Sequence, residues 1–306
     1  MSWILMQMKK MPTYTVHNRR TPNPNAKFSI LIPSWNNLPY LRLCIESIQR
    51  NSVFEHEILV FVNEGKDGTS DWLAVQQDIA YVTCMENVGV CYALNVLSAI
   101  ATTNYIAYMN DDMYACPKWD QYLWEEIQSI GHKYFFVSGT AIERIPQGIC
   151  SIEGNFGQNI ECFDEERLLR DYANAPMQDW NGATWPPNIV HKDIWFLVGG
   201  YSIEFSPGMY SDPDFSMKLW QAGVRYFKGV AASRVYHFGS LSVKRVKRNK
   251  GYHTFISKWG MTSGTFSNLI LKRGTPFEGE MSGDYQLNYP TRLKNYYKQI
   301  VAIFKR

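Results

Sequence analysis

Two adjacent carboxylates follow an apolar run in the middle of the chain. The stretch YIAYM (105–109) has the pattern of a buried strand, and it is followed at once by Asn110, Asp111 and Asp112. Neighbouring carboxylates repel each other and lose solvation when they are buried, so the arrangement needs a compensating charge. A divalent cation is the leading candidate for that charge, and a solvated turn is the alternative.

A second pair of acids opens a predicted helix later in the chain. In SDPDFSMKLWQAG (211–223), Asp212 and Asp214 stand where carboxylates either cap a helix or act as a general base. The run VYHFGS then places His237 at the end of a short apolar segment. Residues 243–250 follow with five basic side chains, which suit either a solvated loop or a loop that faces phosphate.

The elements that would position these residues alternate between strands and helices from Lys27 onward. Helical spacing is clear in residues 39–50, and the apolar runs that predict strands lie at 28–33, 57–62, 79–84, 105–109 and 134–142. This alternation predicts an α/β fold with a mainly parallel sheet and helices on both faces. Ligands of such sheets bind at the carboxyl ends of the strands, which is where the polar residues fall.

Composition excludes several classes of protein. A net charge of +3 over 306 residues does not favour nucleic acid as a partner. The six cysteines are scattered without metal-ligand spacing, and Cys44, Cys84 and Cys91 lie in apolar segments, which favours a reducing compartment such as the cytoplasm. The segment WILM is too short for a signal peptide, and no stretch approaches the length of a membrane span.

The first strand also lacks the common phosphate-binding loops. It leads into Pro33-Ser34-Trp35-Asn36, and neither a G-x-x-x-x-G-K-[ST] loop nor a G-x-G-x-x-G motif follows it. A P-loop NTPase or a nicotinamide-dependent dehydrogenase is therefore disfavoured. Phosphates bound at this edge would need a metal ion and basic side chains for neutralisation.

Five segments in order resemble glycosyltransferase family 2, whose nucleotide-sugar-binding fold is called GT-A. The resemblance covers about Lys27 to Ser240, in SILIPSWNN, EILVFVNEGKDGTSDWL, ENVGVCYALNVLSAIATTNYIAYMNDDM, FLVGGYSIEF and YSDPDFSMKLWQAG. It implies a Rossmann-like sheet with a mixed acceptor-side region and a C-terminal extension. The implied boundaries are a lead-in at 1–26, a GT-A domain at 27–240 with nucleotide half 27–115 and acceptor half 116–240, and a basic loop with C-terminal extension at 241–306.

The resemblance implies a role for each matching residue. Asp212 aligns with the general base that deprotonates the acceptor hydroxyl, and Asp112 with His237 would hold Mn²⁺ or Mg²⁺. The residues implied in nucleotide-sugar binding are Pro33, Ser34, Trp35, Asn36, Asn63, Glu64, Asn87, Gly89, Asn110, Asp111, Lys244 and Arg245. The residues implied in acceptor binding are Trp180, Asn181, Trp185 and Asp214.

Three positions depart from the family pattern, because Asn63, Asn110 and Ser211 stand where an acid is usual. The carbonyl oxygen of Asn63 can still accept the N3–H of uracil. An amide also donates, so uridine, thymidine and guanosine all stay open as the base, with uridine favoured.

The sequence therefore predicts an inverting, metal-dependent glycosyltransferase of polysaccharide biosynthesis. It would move a sugar from a nucleoside-diphosphate sugar to a glycan, a lipid-linked sugar or another hydroxyl acceptor. Two alternatives stay open: a non-catalytic binding module of the same fold, and a sugar nucleotidyltransferase, which would need a Gly-rich basic loop that the first strand lacks. The aromatic and basic segment NYYKQIVAIFKR (295–306) would pack on the domain, lie on a membrane surface or form a homodimer.

Overall fold

The computed structural model describes residues 12–18, 23–146, 148–239 and 249–305. Within these ranges eleven strands form one sheet. The strands are β1 (Tyr14–His17), β2 (Ser29–Trp35), β3 (Glu57–Asn63), β4 (Ile79–Cys84), β5 (Tyr105–Tyr108), β6 (Met113–Ala115), β7 (Phe135–Glu143), β8 (Ser151–Glu153), β9 (Trp180–Asn181), β10 (Asn188–His191) and β11 (Tyr226–His237).

Helices cover both faces of this sheet. They are α1 (Leu38–Asn51), α2 (Thr69–Ala74), α3 (Gly89–Ile100), α4 (Trp119–Ile130), α5 (Glu165–Asp171), α6 (Lys192–Leu197), α7 (Ser211–Gln221), α8 (Gly251–Trp259), α9 (Ser263–Thr265) and α10 (Tyr289–Lys305). Short 3₁₀ turns lie at Ile160–Cys162 and Ile203–Phe205, and a π-helical turn at Phe266–Ile270 follows α9.

The sheet confirms the predicted α/β fold class. Strands β4, β3, β2 and β5 lie side by side and run parallel. Helices α1, α2 and α3 connect these strands in chain order. Beyond β5 the sheet becomes mixed, because β10 runs antiparallel to both β5 and β7, while β7 and β11 pair in parallel. This mixed half is the part in which the sequence alternation blurs.

Apolar side chains fill both sides of the sheet. Helix α1 buries Leu41, Cys44, Ile45 and Ile48, spaced as a helix must space residues that share one face. One core lies under α1, α2 and α4, and the other lies under α3, α6 and α7. All six cysteines lie in the described ranges and are unpaired, and the three expected in the core are buried there.

At two stretches the structure goes beyond the sequence expectation. Strand β1 lies inside the predicted lead-in, yet it pairs antiparallel with β4 along the whole length of β1. The segment from 249 to 271 lies in the predicted C-terminal extension, whose packing the sequence left open, and its Phe255, Phe266 and Leu271 are buried in the same core as α3 and α7. No helix in the described ranges is long and apolar enough to cross a membrane.

Strand register brings the polar strand ends together. In the parallel pair β2–β3, Trp35 lies opposite Asn63. Strand β6 turns back to pair with β11, which sets His237 opposite Met113 and therefore beside Asp112. The parallel pair β7–β11 sets Glu143 on the other side of His237.

Candidate active site

A cavity of about 600 Å³ opens at the carboxyl edge of the parallel strands, within the usual size range of small-ligand sites. Its walls come from both halves of the sheet and from the segment after α8. The sequence-predicted residues that line it are Pro33, Ser34, Trp35, Asn63, Asn87, Gly89, Asn110, Asp111, Asp112, Trp180, Trp185, Asp212 and His237. The structure thus gathers residues that are up to 204 positions apart around one space.

Three predicted residues, Asn36, Glu64 and Asn181, do not line the cavity. Asn36 donates from Nδ2 to Glu64 Oε2 at 3.0 Å, and a hydrogen bond from Trp35 lowers the pKa of Glu64, so this pair supports the turn that carries Trp35. Asn181 donates to Thr275 Oγ1 at 3.0 Å. The remaining two predicted donor residues, Lys244 and Arg245, lie outside the described residues.

Asp214 has a different place from the one predicted for it. Its side chain is fully buried, and Oδ1 accepts from Trp259 Nε1 at 2.7 Å and lies 3.0 Å from Lys258 Nζ. Lys258 also binds Glu204 at 2.8 Å. Asp214 therefore links α7 to α8. Its side chain does not line the cavity in which an acceptor would bind.

Asp212 faces the cavity from the first turn of α7. The Tyr201 hydroxyl donates to its Oδ1 at 3.2 Å, and Tyr201 stacks on Phe215 with ring centroids 4.5 Å apart. Burial raises the pKa of Asp212 to about 7, against the opposing effect of the Tyr201 hydrogen bond. A carboxyl with a pKa near neutrality is well matched to removing a proton from a hydroxyl group.

A histidine links two carboxylates on the opposite wall. His237 Nε2 lies 3.3 Å from Asp112 Oδ1, and Nδ1 lies 2.7 Å from Glu143 Oε1. Burial alone would lower the pKa of His237, but Asp112 and Glu143 together raise it to about 10. The protonated His237 ring thus supplies positive charge between Asp112 and Glu143 when no cation is present.

Asp112 and His237 carry the types of donor atom that bind divalent cations. Among the described residues, no cluster of three or more His, Cys, Asp and Glu side chains is arranged to hold a metal ion alone. Asp112 offers oxygen and His237 offers Nε2, and Glu143 holds the histidine from behind as carboxylates do in metal sites. Mg²⁺ is usually bound through one or two carboxylates together with substrate phosphates, so a site with few protein ligands is compatible with such an ion.

Asn63 is part of the frame of the nucleotide side. Its Oδ1 accepts the Val88 backbone N–H at 3.0 Å, which ties the end of β3 to the start of α3. Asn87 Oδ1 accepts the Gly89 N–H at 3.0 Å. Gly89 has φ +81°, and a Cβ there would lie 2.6 Å from Pro207 Cα, so only glycine allows the two halves of the site to meet this closely.

The two tryptophans of the predicted acceptor region differ in exposure. Trp180 is 2% exposed, donates from Nε1 to Thr140 Oγ1 at 3.1 Å, and covers Gly229 so closely that any Cβ there would clash with the indole ring. Trp185 is 39% exposed, and the Arg273 guanidinium lies 5.5 Å from its ring centroid. Trp185 is therefore the ring that is free to stack on a sugar.

Sequence reasoning missed several residues of the site. Glu143 and Tyr201 lie behind His237 and Asp212, and only strand register and helix packing bring them there. Arg273, Ser263 and Ser267 line the cavity from the C-terminal region, for which the sequence offers no motif. The lone basic side chain of that group, Arg273, stands beside Trp185.

Part of the chain matches a known protein family. Residues 29–149 match the family described as "Glycosyl transferase family 2". The chain carries a family 2 glycosyltransferase domain. The match covers both the Trp35 turn and the Asp112 turn, while Asp212 and His237 lie beyond it.

Individual proteins agree with this assignment. A chondroitin synthase of Escherichia coli is 25% identical over 240 residues, which is 68% of this chain and 34% of that protein. The glycosyltransferase chain thus spans about one third of the length of this relative.

Solved structures share the fold of this glycosyltransferase. GalNAc-T7 with UDP, GalNAc and Mn²⁺ superposes with a TM-score of 0.53 at 14% identity, over 81% of this chain and 54% of that one. TarS of S. aureus in complex with UDP gives a TM-score of 0.55 at 9% identity, over 92% and 72%.

Proposed function

We propose that the protein is an inverting glycosyltransferase that uses a nucleoside-diphosphate sugar, with UDP as the favoured nucleotide, and a hydroxyl group of a glycan as acceptor. The observation that carries the proposal is the position of Asp212. Its carboxyl has a pKa of about 7 and faces the same cavity as Asp112 and His237. The proposed base and the residues proposed to bind the diphosphate through a metal ion thus line the same cavity.

In the proposed reaction, Asp212 accepts the proton of the acceptor hydroxyl while that oxygen attacks the anomeric carbon. The bond between the anomeric carbon and the phosphate oxygen breaks, and the nucleoside diphosphate departs with the electron pair. Because attack and departure occur on opposite faces of the sugar, the configuration inverts. Tyr201 acts as a positioning residue that holds Oδ1 of Asp212 in place.

We propose Asp112 and His237 as the protein ligands of Mn²⁺ or Mg²⁺. When bound, the ion would act as a Lewis acid that neutralises the diphosphate. The crystallised GalNAc-T7 carries Mn²⁺ and UDP, which supports a divalent ion and a uridine nucleotide in this fold. Pro33, Trp35 and Asn63 would border the base, since they end the two strands at the opposite side of the cavity.

Calorimetric titration tests the nucleotide part of the proposal. We expect UDP to bind more tightly than GDP or dTDP, and to need Mn²⁺ or Mg²⁺ for that affinity. Metal-independent binding of all three nucleotides would contradict the ligand assignment. Donor hydrolysis measured on the same preparation would then report whether the bound sugar is activated.

Transfer should depend on pH through Asp212. Its carboxylate is the active form and its pKa is about 7, so kcat should fall about tenfold for each pH unit below 7 and level off above it. The Tyr201 hydrogen bond lowers this pKa, so Tyr201→Phe should move the midpoint to higher pH and leave the plateau largely unchanged. Initial rates at saturating donor across pH test both statements, and a pH-independent rate would remove Asp212 as the base.

Substitutions of the two tryptophans should have different effects, one on acceptor binding and the other on folding stability. Trp185→Ala should raise the acceptor KM about tenfold with little change in unfolding temperature, because an exposed ring contributes to stacking and not to the core. Trp180→Ala should cost about 3–5 kcal/mol of folding free energy, because the ring is buried against Gly229. Thermal unfolding with acceptor kinetics distinguishes them, and equal behaviour of the two variants would contradict the assignment.

A further inference from the structure

Helix α10 carries an apolar stripe that faces away from the protein body. Ile303 is 70% exposed and Phe304 is 84% exposed, although both are strongly apolar. At about 100° per residue, seven exposed side chains fall within an arc of about 120° on the helix surface. The stripe consists of Tyr289, Leu293, Tyr296, Tyr297, Ile300, Ile303 and Phe304.

The side of α10 that faces the body carries small and polar side chains, with Asn295 and Ala302 as its buried residues. Asn295 is buried, and its Oδ1 accepts from the Thr262 backbone N–H at 3.3 Å and from Thr265 Oγ1 at 3.0 Å. Gln299 donates from Nε2 to the Gly260 carbonyl. A surface helix ordinarily buries its apolar side and exposes its polar side, and α10 does the reverse. None of the described residues covers the stripe, so a further surface is needed to cover it.

Positive charge borders the stripe on both sides. Between residues 289 and 305 the sequence has four basic residues and no Asp or Glu. On a helix, Lys294, Lys298 and Lys305 follow one edge of the stripe, and Arg292 follows the other. A partner surface must therefore accept apolar side chains at its centre and supply negative charge around them.

We propose that α10 docks this protein on an anionic lipid surface. The stripe would enter the layer between headgroups and acyl chains, where tyrosine rings are favoured because one end is apolar and the other is polar. The flanking lysine and arginine side chains would reach lipid phosphates, since their long stems lie along apolar surface while the charge stays in water.

A second copy of the chain is a poorer match for the same stripe. Two α10 helices packed face to face would bring their basic borders together without any acid on the helix to offset them. The lipid proposal does not depend on the sugar-transfer proposal. It concerns a surface that α10 alone supplies, and each can fail without the other.

Vesicle flotation of the full chain tests the proposal. The chain should float with vesicles of phosphatidylcholine and phosphatidylglycerol, and much less with phosphatidylcholine alone or at high salt. Ile303→Ser combined with Phe304→Ser should weaken binding about tenfold or more, because two apolar side chains leave the lipid. Lys294→Glu combined with Lys298→Glu should weaken it to a similar extent.

The first control is a substitution away from α10. Val75→Ser removes an exposed apolar side chain from the end of α2 and should leave flotation unchanged. Unfolding temperatures of the α10 variants should stay close to that of the wild type, because Lys294, Ile303 and Phe304 are exposed and Lys298 is only partly buried. Equal flotation of wild type and variants, equal binding to neutral vesicles, or no binding would overturn the proposal. A dimer in sedimentation velocity that the serine variant loses would assign the stripe to a second copy instead.

Discussion

The Asp212→Asn variant should bind UDP nearly as well as the wild type and transfer sugar about a thousandfold more slowly. An amide cannot take the proton of the acceptor hydroxyl, whereas it keeps the shape of the side chain and can still accept the Tyr201 hydrogen bond. Steady-state transfer rates and calorimetric UDP affinity, measured together, check the two halves of this expectation. A wild-type rate would show that another group is the base.

The matched control for this variant is Asp214→Asn. Asp214 lies two residues further along α7, but it faces Trp259 and Lys258 rather than the cavity. Its substitution should lower stability, because Lys258 loses one of its two charge partners and keeps only Glu204. If both variants lost transfer equally without unfolding, the different roles given to the two acids would be wrong.

The same Asp212→Asn change should raise stability at alkaline pH. The folded-state pKa of about 7 is above the value of about 4 for an unfolded Asp, so the stability that this carboxyl contributes is present below about pH 4 and lost as pH rises through 7. By pH 8 the loss amounts to at most about 4 kcal/mol, since each pKa unit corresponds to about 1.4 kcal/mol.

Thermal unfolding without added cation measures this effect. The variant should unfold at a higher temperature than the wild type at pH 8 and at a similar temperature near pH 4. A variant that is less stable at pH 8 would contradict the buried, ionised state of the carboxyl. The gain would also illustrate a catalytic group that is held at a cost to the fold.

Asp112→Ala should reduce UDP affinity in the presence of Mn²⁺ by about a hundredfold or more. The change removes the oxygen donor of the pair and leaves His237 with Glu143 alone. The residues that hold a metal ligand from behind commonly contribute about ten- to hundredfold to metal affinity, and a direct ligand should contribute at least the upper end of that range. Calorimetry with UDP, with and without Mn²⁺, provides the measurement.

A change at Asp284 serves as the control, because this carboxylate is exposed and does not line the cavity. Asp284→Ala should leave the affinity unchanged. If Asp112→Ala kept both the wild-type affinity for UDP and its dependence on Mn²⁺, groups other than Asp112 would hold the ion. Glu143→Gln should have a smaller effect than Asp112→Ala, since Glu143 is proposed to orient His237 and Asp112 is proposed to bind the ion directly.

The sequence was sufficient to predict the parallel half of the sheet. Apolar runs separated by helical spacing identify β2, β3, β4 and β5, because a strand buried on both faces has little choice of residues. It was also sufficient to place Asp112 and Asp212 at strand and helix ends that meet. The contact between His237 and Asp112 depends on the register of β11 against β6, which a single sequence does not reveal.

Side-chain periodicity explains why Asp214 and Asn181 do not line the cavity. Residues two apart on a helix lie on different faces, so Asp212 and Asp214 could not both face one acceptor. Adjacent residues of a strand also point to opposite sides, which separates Asn181 from Trp180. In contrast, Arg273 reaches the cavity from a region without a motif, and only tertiary packing brings it there.

Strand β1 has a practical consequence for protein production. It pairs with β4 over Tyr14–His17, and His17 stacks on Tyr81 with ring centroids 4.5 Å apart. A chain trimmed to begin at Lys27 would keep every cavity residue yet leave the backbone donors and acceptors of β4 without their neighbour. Exposed strand edges of this kind recruit other chains, so such a shortened protein should aggregate, while one that retains residues 12–18 should not.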